Sequence, residues 1–382
     1  MNILKYKEVM HACRFCFMCR HLDTVGNVTF KEADTPRGRA LILDRVRMDK
    51  ENLKNPDFID TIYKCALSAS CRHHCVSSYD ETGLVLAARR DIVGAGLEPE
   101  KVKQLSSELK ANVTLKLEGS SGGMIYYVDS YTAAKQPAIA EAFKRILTAA
   151  GVNCRILTGD SGKALLALGY KDAAKAIAGK LRNAVVKSGC KILVTSCPAS
   201  LDAFKNDYPE LGAAFGADIR ILHTSELMLE LVERGKLKLK FHKTGKVCYL
   251  QSDFLENYNQ LGEVPLKLLK KLGGHTAGFG TNCEESYAAG EGAVVYDRLQ
   301  PQILRLLCNR IADLVDSPDT DVLLTVSPYT KYALATFSKK TLNVISLEEL
   351  VAASIVSLPG YVKDPLVKTQ DRKKQKPRGD KK

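Results

Sequence analysis

Cys13-Arg14-Phe15-Cys16-Phe17-Met18-Cys19, answered downstream by Cys65-Ala66-Leu67-Ser68-Ala69-Ser70-Cys71-Arg72-His73-His74-Cys75, sets the reading of this chain. The first run places three thiols at two-residue spacing. Structural zinc sites usually gather their ligands as separated pairs, so that two knuckles approach a tetrahedron from different directions. Three closely spaced cysteines instead suit three corners of an iron–sulfur cube, with the fourth ligand arriving from a distant segment. A zinc site or plain burial of the thiols is the simpler alternative. His11, His21, His73 and His74 flank the two runs. Imidazole suits zinc and iron alike, and the role read for these four is hydrogen bonding around a cluster rather than ligation.

The bacterial two-cluster pattern is C-x2-C-x2-C-x3-C-P, in which the fourth cysteine of each run ligates the other cluster. On that frame the first run reads Cys13, Cys16, Cys19 and then Asp23. The second reads Cys65, Ser68, Cys71 and Cys75. Crossed pairing sends Cys75 to the first trio and completes a four-thiolate 4Fe–4S site. The second site is left with Cys65, Cys71, Ser68 and Asp23, only two of them thiolates. One intact cluster and one damaged site are therefore expected.

Composition narrows the class. The chain has 382 residues, 45% of them hydrophobic and 26% charged, which are globular values. Its formal net charge is +13, and the segment from Lys368 to Lys382 concentrates much of it. Residues 361–382 are expected to form a basic disordered tail, able to meet an acidic partner or a membrane surface. No run of apolar residues is long enough to span a bilayer, and Met1 to Lys5 lacks a signal-peptide core. The expected location is the cytoplasm, with a peripheral position at the inner face of the membrane left open. In such a reducing compartment the twelve cysteines are not expected to be disulfides. Cys154, Cys190, Cys248, Cys283 and Cys308 read as small buried hydrophobes. Cys197, near a helix start, reads as a candidate for a lowered pKa. No tryptophan and few aromatics argue against nucleic-acid stacking surfaces. P-loop, His-Glu-x-x-His and nucleophile-elbow patterns do not occur.

From Cys13 through Pro36-Arg37-Gly38-Arg39 to Cys75, the sequence resembles the family of iron–sulfur subunits found in glycolate oxidase, anaerobic glycerol-3-phosphate dehydrogenase and heterodisulfide reductase. Members carry two cysteine runs, with Pro-Arg-Gly-Arg after the first. Asp23, Ser68, and Val76 in place of a proline are departures from that pattern. The resemblance implies an α-helical ferredoxin-like domain over residues 1–98. A polar hinge over 99–122 follows, ending in Gly119-Ser120-Ser121-Gly122.

The rest of the chain is an internal repeat. Lys191 to Pro198 matches Asp321 to Pro328, with the two prolines 130 residues apart. Tyr127 pairs with Tyr249, Gly162 with Gly290, and Glu226-Leu227 with Glu349-Leu350. Constant order with drifting offsets means two copies separated by small insertions. Short apolar runs at 124–128, 154–157, 191–195 and 219–223 are strand-length. Ile139, Phe143, Ile146 and Leu147, and then Ala174, Ile177, Ala178, Leu181 and Val185, recur at helical spacing. Alternating strands and helices predict parallel sheets with covered faces. The expected class is thus α+β multidomain: the helical ferredoxin-like domain, then two pseudo-repeated α/β lobes, 123–245 and 246–360.

These lobes resemble the twin CCG domains of the same family, whose motif cysteines can hold a noncubane cluster. Here those positions read Asp160-Ser161-Gly162 and Ala288-Ala289-Gly290, then Cys197-Pro198-Ala199-Ser200 and Ser327-Pro328-Tyr329-Thr330, with Ser130 and Asp253 after the first strands. Only Cys197 survives, so no metal is expected there. Asp129, Asp160, Ser161, Cys197 and Ser200 read first as turn and cap residues.

The resemblance implies a non-catalytic electron-transfer subunit of an oxidoreductase complex. Its 4Fe–4S cluster on Cys13, Cys16, Cys19 and Cys75 would link an FAD-dependent, glycolate- or lactate-oxidising subunit to a further acceptor protein. The alternative is a redox-sensing or ligand-binding protein that uses the vacated cleft between the lobes.

Overall fold

The computed structural model describes residues 1–73, 75–119, 122–240, 246–277, 287–315 and 322–356. The basic tail, His74 and Cys283 lie outside them, as does the side chain of His73. The chain is α+β, with a helical N-terminal part followed by two sheets rich in parallel strands.

In the first sheet β1 (Leu115–Glu118) is an antiparallel edge on β3 (Arg155–Gly159), which pairs in parallel with β2 (Met124–Asp129). β4 (Ile192–Thr195) and β5 (Arg220–His223) extend the other side, giving the order β1-β3-β2-β4-β5. The second sheet runs β7 (His275–Ala277), β6 (Lys246–Leu250), β8 (Leu323–Thr325), β9 (Val344–Ser346), all parallel. Without its edge strand the first sheet has the same order as the second. The repeat read from sequence is therefore a repeat of topology.

The register differs from expectation by one residue. Ile125 pairs with Leu193 and Cys248 with Leu323, so Ile125 corresponds to Cys248, and Leu250 rather than Tyr249 stands where Tyr127 stands in the first copy. In a strand one residue is a change of face. Tyr127 accordingly joins the core of Ile125, Leu157 and Leu193, whereas Tyr249 joins the core of Met124, Tyr126, Val128 and Val194. That second core is shared by the two sheets. Helices Pro137–Ala149, Thr224–Glu233, Glu263–Lys271 and Leu347–Ala353 fill the space between them. The far face of the second sheet, with Cys248, Leu250 and Leu323, shares its core with the N-terminal helices through Ile62, Tyr63, Leu84 and Ala88.

Residues 99–122, expected as a hinge, carry helix Glu100–Ala111 and β1. The helix buries only Val102, Leu105 and Ser106, and all four residues of β1 are exposed. So little apolar burial makes an ordered segment read as polar linker. Within the part expected to be helical, Glu81–Gly94 follows Cys75 and is capped by Asp80, which accepts from the Gly83 N–H at 3.0 Å.

Candidate metal centre

The first cysteine run leaves helix Lys7–Cys13 and passes through turns to the short 3-10 helix Arg20–Leu22. Cys16 is exposed, and Cys13, Cys19 and Cys75 are half-buried. Burial pushes the Cys13 thiol up to about 12, and the negative groups that add to this are Glu81, Cys19, Cys75 and Cys16. Cys19 is pushed up to about 12 by burial, then by Glu81, Asp23, Cys16 and Cys75. The four thiols therefore share one electrostatic neighbourhood, the distant Cys75 included. Among the described residues no group of three or more His, Cys, Asp or Glu side chains forms a ready metal cage. His11 turns its Nε2 toward Asp44, 3.7 Å away, and His21 is exposed.

Pro-Arg-Gly-Arg acquires a physical reading. Pro36 opens helix Pro36–Met48, and Thr35 caps it by accepting from the Gly38 N–H at 3.1 Å. Arg37 donates through Nε to the Arg14 carbonyl at 3.1 Å, which ties the first cysteine loop to the helix. Gly38 lies against the turn at Glu32. A Cβ there would stand 2.0 Å from the Glu32 carbonyl oxygen, so only glycine fits. Arg39 is 1% exposed and joins three segments. Its guanidinium reaches Asp23 Oδ1 at 3.1 Å and Glu81 Oε1 at 2.7 Å, and donates to the Asp34 carbonyl at 2.5 Å.

The second run is built differently. Cys65 and Cys71 are buried, and each expected oxygen donor is committed elsewhere. Asp23 pairs with Arg39 and accepts from the Gly26 N–H. Ser68 Oγ lies 2.9 Å from both Thr24 Oγ1 and Ser70 Oγ. Cys71 Sγ donates to Glu81 Oε2 at 3.3 Å. Burial pushes Cys65 up to about 11 against the pull of Arg39, and it also raises Cys71, helped by Glu81. At Arg39 burial opposes the charge, but Cys65, Glu81 and Asp23 outweigh it. At Asp23 burial outweighs Arg39 and lifts the carboxyl above its ordinary value. These residues line a cavity with room for about one water.

The backbone of this run is fixed from outside. Leu67 and Ala69 take left-handed conformations. Tyr258 Oη donates to the Leu67 carbonyl at 2.6 Å, Asn257 to that of Ser68 at 2.8 Å, and Tyr296 Oη to that of Lys64 at 2.5 Å. The fully buried Arg89 donates to the carbonyls of Cys65 at 2.8 Å and Ala167 at 2.7 Å. Arg89, Tyr258 and Tyr296 escaped the sequence reading. Arg39 entered it only as a motif letter, and Glu81 not at all, because nothing local marks a charge as buried.

The positions read as caps or as vacated by cysteines, together with their neighbours, hold caps and internal bonds. Asp129 caps helix Ser130–Lys135 by accepting from the Thr132 N–H at 3.0 Å. Asp160 accepts from the Thr114 N–H at 3.2 Å, and Ser327 from that of Thr330 at 3.1 Å. In the second copy Glu291 accepts from Ser252 Oγ at 3.0 Å and from the Asp253 N–H at 2.8 Å. Both Asp253 and Glu291 are raised, by burial first. Cys197 departs from expectation: burial, reinforced by the Asp129 charge, raises its thiol instead of lowering it.

Among the described residues no helix is long and apolar enough to cross a membrane. No family model matches the chain. It is 28% identical over 173 residues to the Bacillus subtilis (strain 168) protein named "Probable iron-sulfur-binding oxidoreductase FadF", covering 44% of this chain and 24% of that protein. It is 22% identical over 312 residues to the "EtfAB:quinone oxidoreductase" of Syntrophomonas wolfei subsp. wolfei, covering 71% of this chain and 42% of that one. The chain thus spans less than half the length of these two relatives. A third relative, 22% identical over 242 residues, is a "Probable membrane-anchored ferredoxin" of Chromohalobacter salexigens, matched over 56% of this chain and 36% of its own. In fold, a hypothetical protein from Helicobacter pylori superposes with a TM-score of 0.63 at 12% identity, covering 92% of this chain and 76% of that one. At low identity, then, the chain is similar to iron–sulfur oxidoreductases.

Proposed function

We propose that this chain is the electron-transfer component of a larger oxidoreductase, holding a single 4Fe–4S cluster on Cys13, Cys16, Cys19 and Cys75. The observation that carries the reading is the two-residue spacing of Cys13, Cys16 and Cys19, answered by the half-buried Cys75 of the second run and supported by the likeness to a relative named as iron-sulfur-binding. Such a cluster, when bound, supplies one-electron exchange. Around it the chain's own residues position and insulate. Arg37 ties the loop by the Arg14 carbonyl, and Arg39 and Glu81 brace the segment from Asp23 to Cys71. The donor set Cys65, Cys71, Ser68 and Asp23 does not suit a second cluster, since its two oxygen donors and Cys71 are bonded within the protein and the cavity admits about one water.

Chemistry on an organic substrate then belongs to a partner, as cofactor enzymes commonly divide these tasks. An FAD-dependent dehydrogenase subunit on one side and an acceptor protein on the other is the arrangement proposed. The relatives' names and the satisfied state of the cleft positions support it over a ligand-binding role. The test is spectroscopic. Anaerobically purified wild-type protein should give a reduced-state EPR signal of a 4Fe–4S centre, and Cys75→Ser should abolish it. A Cys75→Ser protein that keeps the wild-type signal overturns the ligand assignment.

A further inference from the structure

The residues between and beside the four thiols point apolar side chains outward. Phe15, Phe17 and Met18 are 73%, 67% and 63% exposed, and Val76, next to Cys75, is 94% exposed. A lone exposed hydrophobe needs no explanation. These four flank, along the chain, thiols that bear on one another's charge, and they are taken as one patch, since folding gains nothing from leaving them in water. The patch has a charged rim. Arg20, Arg37 and Arg72 are 61%, 39% and 46% exposed at their side chains, and they share two carboxylates: Glu32, at 3.5 and 3.1 Å from Arg20 and Arg37, and Asp80, at 3.6 Å from Arg72. Lys31 beside Glu32 is exposed as well. The rim is cationic in excess.

An apolar centre within a charged rim is the anatomy of a protein–protein contact, and redox encounters use small ones. A lipid surface fits less well. Interfacial anchoring normally lays down an amphipathic helix with a basic face, whereas Phe15, Phe17 and Met18 sit outside any helix, with carboxylates in the rim. We propose that Phe15, Phe17, Met18 and Val76 form the docking surface for a redox protein that presents an apolar centre ringed by carboxylates. Docking there seats the partner directly over the cysteines. The inference rests on the electron-transfer reading above and adds where, and to what chemistry, the electron passes.

The test uses two protein probes of opposite charge, plastocyanin (acidic, copper) and cytochrome c (basic, haem), mixed in stopped flow with the dithionite-reduced chain freed of excess reductant. One electron leaves the chain for each Cu(II) reduced to Cu(I), or each haem Fe(III) reduced to Fe(II), with no proton transferred. Iron content and reducibility are measured first. A wild-type chain without iron overturns the electron-transfer reading and this surface with it. In an iron-loaded chain, plastocyanin should react faster than cytochrome c at low ionic strength, and its rate should fall about tenfold or more as salt is raised. The Phe15→Ser/Phe17→Ser/Met18→Ser variant should lose about tenfold in rate with plastocyanin. It should keep its iron content and its rate with a small neutral quinone. Equal rates for the two probes, or a triple variant as fast as wild type with plastocyanin, overturn the proposal. So does a triple variant that loses binding to phosphatidylglycerol vesicles while its plastocyanin rate is unchanged, which would make the patch a membrane contact.

Discussion

The two cysteine runs, read on one spacing, have opposite surroundings. The first is open: Cys16 is exposed and Cys13 and Cys19 are half-buried, on a loop tied to the helix behind it through Arg14, which pairs with Asp44 and accepts from Arg37 at its carbonyl. The second is closed: Cys65 and Cys71 are buried, the expected oxygen donors are satisfied within the protein, and Arg89, Tyr258 and Asn257 grip the carbonyls of Cys65, Leu67 and Ser68. A segment free to arrange itself around a metal needs few bonds of its own, whereas one without a metal must satisfy every buried polar group internally. Arg39 marks the boundary, since its guanidinium joins Asp23 of the first run to Glu81 behind the second.

The largest expected effect breaks that boundary. Arg39→Leu leaves Asp23 and Glu81 buried without their cation, and removing one partner of a buried pair costs about 3–5 kcal/mol. Denaturant unfolding of the anaerobic protein reads this directly, and a loss below about 1 kcal/mol, the scale of an exposed pair, would show that the network is not structural. Gly292 tests the grip on the second run. A Cβ there would stand 2.0 Å from the Leu67 carbonyl oxygen, so Gly292→Ala should cost about 1–3 kcal/mol by overpacking. Thermal unfolding should find it less stable than wild type, with the first-run EPR signal intact. An unchanged midpoint would mean that the loop is not pinned there.

The lobes offer a smaller comparison of the same kind, one copy against the other. Each begins its last helix with a capping box, His223 with Glu226 in the first and Ser346 with Glu349 in the second. Only the first has an imidazole as its capping side chain. Burial depresses His223 to about 3, so between about 6.5 and 3 the unfolded chain binds a proton that the folded chain does not. Its contribution is fully present above the unfolded value and falls by about 1.4 kcal/mol per pH unit below it. Relative to His223→Gln, wild type should therefore lose stability as pH drops from 7 toward 5. Parallel pH profiles for the two proteins would contradict the burial assigned to the ring.

Much of this architecture was legible in sequence. The runs at 124–128, 154–157, 191–195 and 219–223 fall on β2, β3, β4 and β5, because buried parallel strands are short, continuous apolar stretches. The repeat showed through the equivalent turns at Gly162 and Gly290, both with positive φ before a helix. Register was not legible, since Tyr127 and Tyr249 look alike as letters while facing different cores. β1 alternates as Leu115-Lys116-Leu117-Glu118, but with every residue exposed the alternation carried no burial signal. At the candidate site the cysteines could be read from spacing. Arg39 with Glu81, and Arg89 with the Ala167 carbonyl, could not, because those partners lie 42 and 78 residues along the chain.

The most direct test of one open run and one closed run is iron and sulfide counted per chain after anaerobic purification, in wild type, Cys19→Ser and Cys65→Ala. About four irons in wild type, largely lost in Cys19→Ser and retained in Cys65→Ala, is the predicted result for a single cubane cluster. About eight irons in wild type, or loss of iron in Cys65→Ala to the same extent as in Cys19→Ser, would contradict it.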